Sequence, residues 1–196
     1  MRDSIHRHTW LTSVLGGSGL LIAGLIWLLG AVHAGTHNAF LAPIPSFIGD
    51  VVLLAACVLL AWAVPGETGI VGASALGRAA LVVFGVRNLV LGIVQGLPYT
   101  PGAWPILTLN SVLIAIFAAA LLVAALIARR VRAAPYMARA VLLIVALLFA
   151  VITVLALIPA ADVGLFLAEI RADVILAAAL TALGLSFVLS SLSRRG

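Results

Sequence analysis

Apolar residues along this chain gather into six long runs, at 10–32, 47–64, 79–97, 106–128, 138–158 and 173–192; the segments between them hold all 8 prolines, and these segments together with the termini hold most of the charges. A helix rises about 1.5 Å per residue, so roughly 20 apolar residues cover the ~30 Å hydrocarbon core of a bilayer. Each run therefore predicts a membrane-spanning α-helix. The fold class expected is all-α: a polytopic transmembrane bundle of six spans, occupying 1–196 as a single integral membrane domain.

The runs differ at their ends. The first follows a short polar start and is about twice as long as the apolar core of a signal peptide, so it reads as a span. Its Ser13, Gly17, Gly24 and Ala31 form a stripe of small residues on which another helix can pack closely. Residues 33–46 contain Pro43 and Pro45 and predict a loop, with the second helix starting at Phe47. Pro65-Gly66 closes that helix, and the glycine-rich PGETGIVGASALGR predicts a flexible turn. The third run reads as one helix, the fourth stops at Arg129, Arg130 and Arg132, and Pro135 and Pro159 bracket the fifth. A single helix over 162–192 would be about 45 Å long, more than a bilayer core needs. The last span is therefore set at 173–192, with 163–172 as an interfacial helix or extension. Ala178, Ala182 and Ser186, spaced by four, predict a close-packing face on it.

Six spans put both termini on one side. Arg2, Arg7, Arg78, Arg129, Arg130, Arg132, Arg139, Arg194 and Arg195 then share that side, against Arg171 on the other. The positive-inside rule makes the arginine-rich side, and both termini, cytoplasmic.

Composition narrows the function classes. At 65% hydrophobic and 9% charged, with a mean hydropathy of +1.32, the chain lacks the polar surface a soluble protein needs. All 11 basic residues are arginine, which excludes lysine Schiff bases and a phosphate-loop lysine. Cys57 is the 1 cysteine, so no disulfide can form within the chain. The net charge of +5 reads as topology, since no nucleic-acid-binding module accompanies it. Abundant Ala, Gly and Arg fit a GC-rich bacterial genome, and the bacterial plasma membrane is the expected location.

The most informative stretch is the third run, which carries Arg87 and Asn88 near its middle. A charge at the centre of a span costs about 2.5–3.5 kcal/mol on insertion scales, so it faces the bundle interior, a watery cavity or another subunit. On a helical wheel Gly85, Asn88, Gly92, Gln95 and Gly96 share one face and Arg87 the other. Gly92 and Gly96 permit close helix approach, and Arg87 needs a partner on its own flank. Asp50 is the nearest acid in depth, although the positive end of its own helix dipole would also account for it. Asn88, Gln95 and Asn110 are further intramembrane hydrogen-bonding groups.

Other constellations are weaker. His33 and His37 have helical i, i+4 spacing but no Cys or carboxylate beside them to complete a metal site. No histidine lies at membrane depth to hold haem. Glu169 and Asp173 flank Arg171 and read as a solvated rim, and Asp162 as a helix cap. Arg129, Arg130 and Arg132 can attract anionic lipid at about 1 kcal/mol per charge. No catalytic nucleophile, metal cluster or cofactor motif is nominated. The expected function is a non-catalytic accessory or scaffolding subunit that packs beside other membrane subunits. The alternative is a small transporter or channel with a polar path around Arg87, and a lipid-modifying enzyme comes third.

Overall fold

The computed structural model describes residues 9–34, 43–95, 104–158 and 171–193. All regular structure among them is helical: α1 (Trp10–Ala34), α2 (Pro43–Trp62), α3 (Ala75–Gly85), α4 (Arg87–Gln95), α5 (Trp104–Val131), α6 (Tyr136–Ala156) and α7 (Ala172–Leu192). Four of them, α1, α5, α6 and α7, are long and apolar enough to cross a membrane, and the bent pair α3 and α4 makes a fifth if counted together. The apolar part of α2, Phe47–Trp62, is shorter.

The helices close into a ring. In order, α1 packs on α2, α2 on α3, α3 on α5, α5 on α6, α6 on α7, and α7 returns to α1, while α4 leans on α2 and α5. Leu53, Leu60, Phe84, Leu121, Leu180 and Phe187 fill the buried core. Lipid tails are as apolar as these side chains, so tight packing rather than water exclusion must hold such helices together.

That packing is closest between α1 and α7. A Cβ on Gly17 would lie 2.6 Å from the Phe187 Cβ, one on Gly24 would lie 2.7 Å from the Thr181 amide nitrogen, and one on Gly184 would collide with the Leu21 nitrogen and the Gly17 carbonyl. Gly17 and Gly24 thus lie in the contact between α1 and α7. On α7 the face turned to the chain's own helices differs from the predicted small-residue stripe. Ala177, Leu180, Gly184 and Phe187 turn inward, whereas Ala178 and Ala182 are exposed and Ser186 is half-buried. Gly184, the one glycine in α7, permits backbone contact that alanine and serine do not, and this sets the helix rotation. Gly92 likewise meets nothing within 4 Å.

Three further expectations are corrected. First, α2 begins at Pro43, with Pro45 also in its first turn. First-turn amides have no intrahelical acceptor, so the missing proline N–H groups cost nothing there. Second, the run 79–97 is not one helix: α3 and α4 meet at Val86 with a bend of 44°. The ladder is deflected rather than severed, since Val86 N–H bonds Val82 O at 2.9 Å and Val90 N–H bonds Val86 O at 3.0 Å. Gly85, a weak helix former, precedes the bend. Third, the loop after α2 is packed: Ile70 and Val71 are fully buried, and Ile70 N–H bonds Leu60 O at 2.9 Å.

The same loop caps α1. The Glu67 carboxylate accepts from the Leu11 amide at 2.9 Å and the Thr12 amide at 2.6 Å, and Thr12 Oγ1 accepts from the Val64 amide at 3.1 Å. These are orphan donors of the first turn, and a negative charge there also suits the helix dipole. At the other end Arg171 Nη2 donates to the Ala31 carbonyl at 2.6 Å. A distant carboxylate and a distant guanidinium thus hold the two ends of α1.

Candidate functional site: a polar cluster between the helices

The cluster begins with Asp50, the eighth residue of α2 and so roughly 10 Å along its axis from the first. That is beyond the first turn, where the dipole acts. The helix dipole therefore does not explain this carboxylate, and its side-chain partners do. Trp27 Nε1 on α1 and Asn88 Nδ2 on α4 both donate to Asp50 Oδ1, each at 3.0 Å.

Two glycines make the geometry possible. A Cβ on Gly49 would come within 3.0 Å of Trp27 Cδ1 and 3.1 Å of its Nε1, so the bare backbone lets the indole lie against α2 and reach the next residue. Gly85 sits against Cys57 and Leu54, with a Cβ there only 2.9 Å from the Cys57 Cβ. This close approach of α3 to α2 delivers Asn88 to Asp50.

Arg87 points the other way, as its wheel position requires. Its guanidinium carbon lies 5.0 Å from the centroid of the Phe149 ring on α6, and that ring meets Phe84 of α3 edge-on, at 5.5 Å and 78°. The pairing is a cation–π contact, worth about 2 kcal/mol when desolvated. Asp50 attracts the same guanidinium electrostatically without forming an ion pair with it. Arg87 Nε is buried and has no hydrogen-bond partner. Adjacent residues thus serve different walls, Asn88 toward α2 and Arg87 toward α6.

The remaining predicted residues lie elsewhere. Asn110 on α5 has a buried Oδ1 without a hydrogen-bond partner and is not tied into the cluster. Asp173 is engaged in an exposed ion pair with Arg171 at 3.3 Å, which gives this acid a structural role. Arg129 and Arg130 occupy the last turn of α5, and both they and Arg132 are exposed. His37, Gly96, Asp162, Glu169, the segment 163–170 and the side chains of His33 and Gln95 lie outside the described residues. Among the described residues, no group of three or more His, Cys, Asp or Glu is placed to hold a metal ion.

Sequence reasoning missed Trp27, Phe149 and Glu67. Trp27 carried one usable signal, its place in the interior of a run where interfacial tryptophans do not belong. Comparison with family models, with curated proteins and with solved structures finds no match for this chain.

Proposed function

We propose that the chain is a six-span, non-catalytic subunit of a bacterial plasma-membrane complex, with both termini cytoplasmic, α2 as the short second span and the bent pair α3 and α4 as the third. One observation carries the reading. The intramembrane polar groups Asp50, Asn88 and Trp27 are engaged in bracing the chain's own helices, while in the small-residue stripe of α7 Ala178 and Ala182 are exposed and Ser186 is half-buried. Such a stripe on a spanning helix permits close approach by a helix of another subunit.

The test is a photo-crosslinking residue placed at position 182 and activated in the native membrane. Capture of one discrete membrane protein is expected. Capture of lipid alone refutes the subunit role of this face.

A second reading has its own support. A span bent by 44° at mid-length, with Arg87 just past the bend and its Nε buried without a hydrogen-bond partner, offers a cation at membrane depth to an anionic solute. Anion flux into liposomes containing this chain alone, lost in Arg87→Leu, would favour it over the subunit role.

A further inference from the structure

Where α5 ends and α6 begins, a cleft of about 580 Å³ opens between the helices. Its polar wall is Arg129, Arg132, Arg139 and Tyr136, and its apolar wall includes Leu143 and Ile144. Three arginines line the cleft and no carboxylate does. The geometry points to a binding site for the phosphate of an anionic phospholipid, with an acyl chain lying along the outer face of α6.

Three features support this. Arg139 Nη1 donates to the Arg129 carbonyl at 3.3 Å, which holds one cation across the gap between the helices. Arg132 is the first residue after α5 and takes a left-handed backbone, φ 59°, where glycine or asparagine is usual. The tight turn it makes brings the two helix ends, and their arginines, together. The apolar wall does not stop at the cleft: Ile144 is continued along α6 by Leu147, Val151 and Val154, all exposed and spaced to share one face. A soluble phosphate would use only the arginines, whereas a phospholipid uses both walls. Arg130, although in the same basic cluster, is not part of the lining.

The inference rests on the membrane-spanning reading proposed above and on no partner subunit. The experiment is native mass spectrometry of the purified full chain, released from vesicles of equal phosphatidylglycerol and phosphatidylcholine. One retained phosphatidylglycerol per chain is expected, not displaced by millimolar inorganic phosphate. Arg132→Gln removes a charge-assisted contact to the bound phosphate, so it should weaken retention at least about fivefold, and Arg132→Gln with Arg139→Gln at least about 30-fold. Arg130→Gln should leave it unchanged. If the double variant fails to fold, the exposed Arg132→Gln still decides. No preference for phosphatidylglycerol, equal loss in Arg130→Gln, or displacement by inorganic phosphate each overturns the site. A chain that remains in the aqueous phase instead overturns the span reading.

Discussion

Asp50→Ala is the sharpest perturbation of the cluster. It removes the single oxygen on which Trp27 and Asn88 converge, each at 3.0 Å, and leaves both donors unpaired between helices. Interhelical polar contacts in membranes average about 0.6 kcal/mol and reach about 1.7. Two of them, to a charged acceptor, therefore predict a loss of about 1–3 kcal/mol. Asp50→Asn separates the contributions, because its Oδ1 can still accept both bonds while the longer-range attraction for Arg87 is gone; a loss under about 1 kcal/mol is expected. The assay is reversible unfolding of the purified chain in mild detergent, followed by tryptophan fluorescence. Pairing Asp50→Ala with Asn88→Ala should give a coupling of about 0.6–1.7 kcal/mol. Equal losses in Asp50→Ala and Asp50→Asn would refute the hydrogen-bonded brace and leave only charge. A coupling near zero would refute the Asn88 contact.

Three other substitutions test separate contacts. Phe149→Leu should destabilise the chain by about 0.5–2 kcal/mol more in the presence of Arg87 than in an Arg87→Met background, measured in the same unfolding assay. Glu67→Ala should cost about 0.5–2 kcal/mol and speed hydrogen exchange at the Leu11 and Thr12 amides, with α7 unaffected. Gly184→Ala should cost about 1–3 kcal/mol by forcing α7 away from the α1 backbone, read as a lower midpoint of thermal unfolding.

Much of this architecture was legible because one rule dominates it: backbone polar groups in hydrocarbon must bond within their own segment, so long apolar runs become helices. Arg87 was legible for the same reason, since a charge in such a run demands an environment. What it meets was not legible, because Phe149 lies on a distant helix and a phenylalanine in an apolar run gives no local signal. Rotation was the harder problem. On α7 the regular spacing of Ala178, Ala182 and Ser186 pointed to one face, while a single glycine, Gly184, decided for another because only it admits backbone contact. Pro43 and Pro45 misled for a local reason, since proline breaks helix interiors but opens helices well. Glu67 looked like a loop charge because its partners stand 56 and 55 residues earlier in the chain.

Whether this chain acts as a subunit is decided by affinity purification of the whole tagged chain from its native membrane in mild detergent, with mass measured on the intact particle. A particle heavier than the 20.2 kDa chain by at least one different membrane protein in fixed stoichiometry is expected. A particle containing only this chain and lipid would contradict the subunit role.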